Sequence, residues 1–274
     1  MTGTAGKEEF EKLTAELAEK TYAELPFNLT HQDLVEAAEK FFAYLSLPQE
    51  EKDRLHFYDR PENRQGLGYV RKAGEEDEVS RTDYKEYFHY HPKLLTEFAG
   101  SELLTRPETA AFFEAAGRIH AEALAASKEL FRTISLEHAG FYERFFPDTE
   151  EYIDFSALRF LKYEPSGQGN FLARAHYDRG CTTLALAESA PGLRIGKSAE
   201  TLKEVVHKEN VALFMPAYQL MEITDERFLP SWHDVVQSSN DVYRENAARW
   251  AIVFFADAPG VPVPSKEAAH TPVI

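Results

Sequence analysis

The run His176-Tyr177-Asp178 places an imidazole and a carboxylate two residues apart. Because residues i and i+2 of an extended chain point to the same face, both side chains could bind one metal ion from the end of a strand. A third ligand must come from elsewhere, and His233 is the best-placed candidate. Two histidines and one carboxylate form the facial triad that binds non-haem Fe(II). The H-x-D spacing is common by chance, so a solvated pair in a surface loop stays open on this spacing alone.

A second residue with suitable chemistry is Arg249, which directly precedes the apolar run 250–255. An arginine at the start of a buried strand presents a planar fork that can donate two parallel hydrogen bonds to a carboxylate. A salt bridge from the strand end toward solvent is the simpler alternative. Arg249 is therefore a candidate anion-binding residue.

The composition limits the classes of function. The 274 residues include 30 Lys and Arg against 46 Asp and Glu, and the resulting net charge of −16 argues against a nucleic-acid partner. The single cysteine, Cys181, excludes an intramolecular disulfide framework and a Cys-rich zinc site. The sequence contains neither an apolar run of roughly 20 residues nor an apolar signal segment after Met1. We expect a globular protein of a reducing compartment, the cytoplasm, that does not bind membranes.

Helical patterns fill the first half of the chain, and strand-like patterns fill the second half. Apolar residues at helical spacing predict helices. After Pro147, short runs rich in β-branched and aromatic residues alternate with turn residues, which predicts serial strands. The predicted helices are 7–23, 34–45, 49–52 and 107–136, the predicted strands are 84–90, 157–163, 171–176, 182–187, 193–195, 211–214, 219–223 and 250–255, and the predicted loop is 59–82.

These elements indicate an α+β protein whose helices pack outside an all-β core, such as a sandwich, a jelly roll or a barrel. No internal repeat or low-complexity linker interrupts the chain, so we expect a single domain over 1–274. Its parts would be a mostly helical half over 1–150, a strand core with the metal site over 151–260, and a loosely held tail over 261–274.

Segments spread over most of the chain resemble the iron- and 2-oxoglutarate-dependent dioxygenases of the isopenicillin N synthase-like group. Their order and spacing are more specific than any one segment. The first segments are Phe41-Phe42-Ala43, Leu47-Pro48-Gln49-Glu50-Glu51-Lys52, Gly66-Leu67-Gly68-Tyr69 and Asp83-Tyr84-Lys85-Glu86-Tyr87-Phe88. The later segments are Leu158-Arg159-Phe160, Tyr163-Glu164-Pro165, His176-Tyr177-Asp178, Thr183-Leu184, Gly192-Leu193, His233-Asp234-Val235 and Arg249.

The resemblance implies a double-stranded β-helix, or jelly-roll, core with N-terminal and supporting helices. It implies that His176, Asp178 and His233 bind Fe(II). Arg249 would bind the distal carboxylate of the cosubstrate 2-oxoglutarate, and Tyr163 would donate to the same carboxylate. The implied activity is oxidation of a C–H bond of a small organic substrate by O₂, with hydroxylation as the first expectation, coupled to decarboxylation of 2-oxoglutarate to succinate.

The chain departs from the family pattern near its candidate anion site. Ala251 replaces the serine of the family's R-x-S motif, and the stretch between His233 and Arg249 is longer than usual and includes Arg244 as an alternative anchor. We prefer Arg249, because an apolar strand follows it directly. The departures leave open an iron-dependent oxidase of the same fold that does not use 2-oxoglutarate and binds the substrate carboxylate through Arg249. A non-catalytic binding protein is a third possibility, against which the intact triad argues.

Other polar residues receive simpler interpretations. His89 and His91 are two residues apart but lack an accompanying carboxylate pattern, so we expect them to line a pocket or lie at the surface. His207 is expected to be solvated in a polar turn, and Cys181 is expected to be a small buried residue. No counterpart of the family's C-terminal lid helix is expected after the last strand.

Overall fold

Helices occupy most of the first half of the chain, and antiparallel strands are the main regular elements of the second half. The computed structural model describes residues 4–60, 63, 65–72, 85–147, 151–163, 171–237 and 249–272. Its helices are α1 (Thr4–Lys20), α2 (His31–Leu45), α3 (Gln49–Asp53), α4 (Lys93–Glu97), α5 (Glu102–Thr105), α6 (Pro107–Ser135), α7 (Phe141–Phe145), α8 (Tyr218–Ile223) and α9 (Lys266–Ala269). Its strands are β1 (Ala23–Pro26), β2 (His56–Phe57), β3 (Leu67–Lys72), β4 (Lys85–Tyr90), β5 (Ser156–Tyr163), β6 (Phe171–His176), β7 (Thr182–Glu188), β8 (Leu193–Gly196), β9 (Lys203–Glu204), β10 (Val211–Pro216), β11 (Trp232–Val236) and β12 (Trp250–Ala256).

The strands form two antiparallel sheets that face each other. The larger sheet has the order β1-β10-β7-β12-β5-β4-β3-β2, and the smaller has the order β6-β11-β8-β9. Buried side chains from both sheets pack into one apolar cluster, which we call the intersheet core. It consists of Tyr87, Leu161, Tyr163, Leu172, Ala185, Leu193, Ile195, Val205, Leu213, Met215 and Val235. The expected mixture of helices and antiparallel strands is therefore confirmed.

The other face of the larger sheet is covered by α2 and α6. The Phe112 ring on α6 lies 5.3 Å from that of Phe41 on α2 and 4.9 Å from that of Phe160 on β5. Burying a phenylalanine side chain stabilises the fold by about 1.5–3 kcal/mol, so these rings fix the helices against the sheet. The predicted helix 107–136 is confirmed, with its end at Ser135. Within the residues described, none of the helices has the length and hydropathy that crossing a bilayer requires.

Three of the N-terminal segments that carry the family resemblance meet at the buried carboxylate of Glu86 on β4. The Tyr69 hydroxyl donates to Glu86 Oε1 at 2.5 Å, and the Lys52 ammonium donates to the same oxygen at 3.3 Å. Lys162 on β5 lies 3.4 Å from the other carboxylate oxygen. The side chains of Lys52 and Glu86 are only 7% and 10% exposed. These segment residues therefore join α3, β3, β4 and β5, which is a structural role.

Replacing Glu86 with glutamine should strongly destabilise the protein. Burial alone would raise the pKa of Glu86, but the Tyr69 hydrogen bond and the Lys52 charge outweigh burial and lower the pKa. The carboxylate therefore contributes stability above its unfolded pKa of about 4.3, and this contribution is lost as pH falls through the lower folded pKa. Glu86→Gln leaves the buried Lys52 ammonium without its counter-charge, which should reduce the free energy of unfolding at neutral pH by about 3–5 kcal/mol, measured by urea denaturation.

The matched control for this prediction is the double variant Lys52→Met, Glu86→Gln. It should lose less stability than the sum of the two single variants, because neither charge is then buried alone. The difference between the wild type and Glu86→Gln should shrink below about pH 4. An unchanged unfolding midpoint for Glu86→Gln at neutral pH would contradict the buried ion pair.

Two segments differ from the sequence prediction. Residues 219–223 belong to helix α8 rather than a strand. A short apolar run is compatible with the residue spacing of a helix and with that of a strand. The helical conformation is stabilised here by the Gln219 side-chain amide, which donates to the Val261 carbonyl at 2.7 Å. In the predicted loop 59–82, Leu67–Lys72 forms β3, which pairs with β4. The rest of that loop from residue 73 onward lies outside the described residues.

Candidate metal centre

Strands β6 and β11 bring His176, Asp178 and His233 together. The two histidines are direct register partners, and their ring centroids lie 4.4 Å apart. Asp178 follows the end of β6, with Oδ1 3.7 Å from His176 Nε2 and Oδ2 3.8 Å from His233 Nε2. One donor atom from each side chain lies within 4.8 Å of the other two. No other group of three histidine, cysteine or carboxylate side chains comes this close in the described part of the chain.

Backbone carbonyls orient both imidazoles. His176 Nδ1 donates to the Arg174 carbonyl at 2.6 Å, and His233 Nδ1 donates to the Ser231 carbonyl at 3.0 Å. Because a carbonyl oxygen can only accept, Nδ1 carries the proton in each ring and the Nε2 lone pair is available beside Asp178. Metal-binding histidines typically have this arrangement, in which the second ring nitrogen donates to the protein.

The electrostatics of the site favour an anionic Asp178 and a neutral His233. Burial would raise the pKa of Asp178, but the neighbouring imidazoles of His233 and His176 and the hydrogen bond from Thr183 hold that pKa well below its ordinary range. The Thr183 hydroxyl donates to Asp178 Oδ2 at 2.6 Å. Burial, followed by the effect of a charge on His176, lowers the pKa of His233.

This donor set fits an octahedral Fe(II) ion. Bonds of about 2.1 Å at right angles place neighbouring ligand atoms roughly 3 Å apart. The three donor atoms lie within 4.8 Å of one another, and each histidine Nε2 faces a different oxygen of Asp178, so the side chains must rotate closer together to bind one ion. The side chains of His176 and Asp178 are 27% and 17% exposed, so the site is accessible from one side.

Arg249 lies away from the triad, near the opposite end of β11. Arg249 lies next to Gly192, since a Cβ placed on Gly192 would be 3.6 Å from Arg249 Nε. The Gly192 carbonyl in turn accepts a hydrogen bond from the Val236 amide at the end of β11. Val236 follows His233 by three residues, which corresponds to roughly 10 Å along a strand. The guanidinium lies over the Tyr163 ring, 5.4 Å from its centroid. The structure thus brings Arg249 and Tyr163 together and separates both from the triad.

The Arg249 guanidinium has a carboxylate partner within the chain, Glu188. Arg249 Nη2 donates to Glu188 Oε2, and the two side chains are 8% and 7% exposed. Arg249 Nε donates to the Ala190 carbonyl at 3.3 Å, whereas Nη1 is buried with no hydrogen-bond partner among the described residues. Glu188 is also the register partner of Ala251, so it lies beside the position of the missing serine hydroxyl. Nη1 therefore remains available to a second carboxylate.

Sequence reasoning missed Glu188, and its expectation for His207 was wrong. The His207 side chain is only 10% exposed, and its Nδ1 lies 3.5 Å from Glu188 Oε1. Its Nε2 donates to the Ala185 carbonyl at 3.2 Å, which withdraws the ring from solvent. The one sequence signal that could have found Glu188 is a charge directly after the apolar run 182–187.

The remaining candidates are buried structural groups or lie outside the described residues. His91 is packed in the core, where burial lowers its pKa to about 4, and His89 accepts a hydrogen bond from Arg159 at 2.8 Å. Cys181 is buried as expected, and burial raises the pKa of its thiol. The alternative anchor Arg244 and the predicted turn 164–167 lie outside the described residues.

Part of the C-terminal segment, around helix α9, contacts the backbone beside the triad. The Tyr177 amide donates to the Ala269 carbonyl at 2.8 Å, and His270 Nδ1 donates to the Ala175 carbonyl at 3.0 Å. The ring of His270 lies 5.7 Å from that of His176. The backbone of β6 and the residue after it supply these partners, so helix α9 is held next to the metal centre.

Solved structures share this fold. A 2OG-Fe(II) oxygenase family protein from Caulobacter crescentus is 17% identical, with a TM-score of 0.70 over 98% of this chain and 90% of that chain. AtDAO1, the dioxygenase for auxin oxidation 1 from Arabidopsis thaliana, in a 2-oxoglutarate complex, is 17% identical, with a TM-score of 0.66 over 98% and 96%. JOX2 in complex with 2OG, Fe and JA is 16% identical, with a TM-score of 0.70 over 95% and 75%.

No family model matches the chain, and no curated protein matches it by sequence. The structural likeness shows that the chain has the fold of these 2OG-Fe(II) oxygenases. The resemblance predicted from the sequence segments is therefore confirmed at the level of the fold.

Proposed function

We propose that this protein is an Fe(II)- and 2-oxoglutarate-dependent oxygenase that oxidises a C–H bond of a small organic substrate, most simply by hydroxylation, while 2-oxoglutarate is converted to succinate and CO₂. The observation that carries the proposal is the convergence of His176, Asp178 and His233 with both Nε2 atoms turned toward one carboxylate. Two facing antiparallel sheets support the proposed double-stranded β-helix core around this site.

In this proposal His176, Asp178 and His233 hold the iron. Bound iron supplies the activation of O₂ that no protein side chain provides. The chain's contribution is orientation, because the Arg174 and Ser231 carbonyls fix the two rings and Thr183 fixes the carboxylate. The apolar intersheet core includes Val235, two residues after His233 on β11, and we expect this core to limit the access of water to the space beside the ligands.

Arg249 is the proposed anchor for the distal carboxylate of 2-oxoglutarate. Its buried, unpartnered Nη1 offers the hydrogen-bond donor that a carboxylate needs, and Tyr163 lies against the guanidinium. Glu188 already neutralises part of this charge, and Ala251 supplies no hydroxyl. We therefore expect 2-oxoglutarate to bind, with an affinity limited by the internal pair.

The proposed partners are a small-molecule substrate and O₂. The net charge of −16 disfavours nucleic acid as a substrate, because binding to the phosphate backbone depends on clustered cations. The free, buried thiol of Cys181 supports a reducing compartment such as the cytoplasm.

A second candidate is an iron-dependent oxidase of the same fold that does not use 2-oxoglutarate. The observation that favours it is the internal pairing of Arg249 with Glu188 beside Ala251. In that case Arg249 Nη1 would bind a carboxylate of the substrate itself.

Anaerobic titration separates the two candidates. Fe(II) is added first and 2-oxoglutarate second, while the visible charge-transfer band of the iron complex is recorded, and succinate is then measured after air is admitted. The main proposal expects one iron per chain, appearance of the band and slow succinate release without any substrate. Iron binding without the band or succinate would favour the oxidase, and failure to bind iron would overturn both.

A further inference from the structure

Arg159 on β5 is a cation that the proposed chemistry does not use. Its direct register partner on β12 is Val253, and its side chain lies over the Phe255 ring at 4.7 Å. Leu161, two residues further along β5, belongs to the intersheet core, so Arg159 lies on the same face of the sheet. We propose that Arg159 binds a carboxylate of the prime substrate, which is therefore a small carboxylic acid. This proposal rests on the proposed function.

The guanidinium is held in a defined position. Arg159 Nε donates to His89 Nε2 at 2.8 Å, and Arg159 Nη2 donates to Gln65 Oε1 at 2.7 Å. The Tyr87 ring packs against the guanidinium at 4.9 Å, in addition to Phe255. A cation that packs against two aromatic rings and donates two hydrogen bonds loses little further entropy when it binds an anion.

Arg159 lacks a counter-charge among the described residues. The polar side chains that its guanidinium contacts in that part of the chain are His89 and Gln65, neither of which carries a negative charge, although acidic side chains outnumber basic ones in the chain. His89 does not neutralise it, because burial and then the Arg159 charge keep that imidazole uncharged by lowering its pKa. Nη1 makes no hydrogen bond in the described structure and is the donor left for a ligand. Arg249, in contrast, is paired with Glu188.

The sheet register places Arg159 beside the metal centre. Phe255, which contacts the guanidinium, is the register partner of Thr183 on β7, and Thr183 donates to Asp178. Two strand spacings, roughly 10 Å, therefore separate the β5 backbone at Arg159 from the strand that supports the metal ligand. An extended arginine side chain spans much of that distance. A carboxylate bound at Arg159 leaves the rest of a small substrate over the open side of the triad.

The test uses small acids and their amides as probes. Benzoate, phenylacetate and hexanoate are titrated into the metal-free protein, each beside its primary amide, and binding is followed by ligand-observed NMR. At least one acid should bind more tightly than its amide. Arg159→Gln should weaken that binding by ~10- to 100-fold, the usual effect of losing a hydrogen bond to a charged group, and Arg159→Lys should weaken it less.

A control variant locates the site. Arg118→Gln, which removes an exposed arginine paired with Asp33, should leave binding of the selected acid within about twofold. Equal binding of acids and amides, or unchanged acid binding in Arg159→Gln, would overturn the proposal. Because this titration needs neither iron nor 2-oxoglutarate, its result is independent of the iron titration that tests the proposed function.

Discussion

Replacing His176 with alanine is expected to abolish iron binding and, with it, turnover. His176 supplies one of three ligands, and its ring is partly exposed and donates to the carbonyl of Arg174 on its own strand. Its removal should therefore leave the fold intact. Loss of an outer-shell partner of a metal ligand already costs about 10- to 100-fold in affinity, so loss of a ligand should exceed that range. Iron retained after anaerobic gel filtration, measured per chain, provides the readout.

His270→Ala is the matched control for this prediction. Its ring lies 5.7 Å from that of His176, yet it is not part of the triad. We expect this variant to retain one iron per chain and to release succinate from 2-oxoglutarate. Full iron content and turnover in His176→Ala would remove the basis of both enzyme proposals.

The convergence of the three candidate metal ligands could be predicted from the sequence, because their arrangement depends on local spacing and on one strand pairing. His176 and Asp178 are close in the chain, so the H-x-D run brings them to one place. His233 required the long-range register of β11 with β6, which residue spacing does not specify. The sequence alone offered His233 as a candidate third ligand, and the family resemblance then implied that it joins the other two.

The partner of Arg249 could not be predicted, because a β-bulge changes which side chains face the intersheet core. Ala185 belongs to this core, and strict alternation along β7 would turn Ala187 inward and Glu188 outward. In the pairing of β7 with β12, however, the residue between Ala185 and Ala187 has no partner. Glu188 therefore pairs with Ala251 and faces Arg249. A bulge of this kind inverts the face of every later residue in the strand, and no feature of the run 182–187 indicates it.

The wrong prediction of a strand at helix α8 has a different cause, since the run 219–223 is compatible with both helical and strand spacing. Leu220 is fully buried, and the Thr224 hydroxyl donates to the Leu220 carbonyl at 2.7 Å. Contacts made by residues far along the chain, such as Val261, fix the helical conformation. Tertiary contacts therefore decide the state of a run that is too short for its own propensity to decide.

Because Arg249 is paired with Glu188, we expect substitutions at these two residues to change the affinity for 2-oxoglutarate in opposite directions. Arg249→Gln should weaken binding of 2-oxoglutarate to the iron-loaded protein by at least ~30-fold, because it removes the charged donor from a buried anion site. Glu188→Gln should strengthen that binding by about tenfold, because Arg249 Nη2 is then freed from its internal partner and can join Nη1 in a bidentate contact. Dissociation constants from the anaerobic charge-transfer titration provide both values.

Thermal unfolding distinguishes a changed anion site from a damaged fold. Glu188→Gln leaves the buried Arg249 charge without its partner, so the variant should unfold at a lower temperature than the wild type when 2-oxoglutarate is absent. Saturating 2-oxoglutarate should recover most of this loss, because a ligand carboxylate then replaces the one removed. If Glu188→Gln weakens the binding of 2-oxoglutarate as much as Arg249→Gln does, Glu188 supports Arg249 and does not compete with the ligand. The internal pair would then be part of the binding site, and the limit that we place on cosubstrate affinity would not hold.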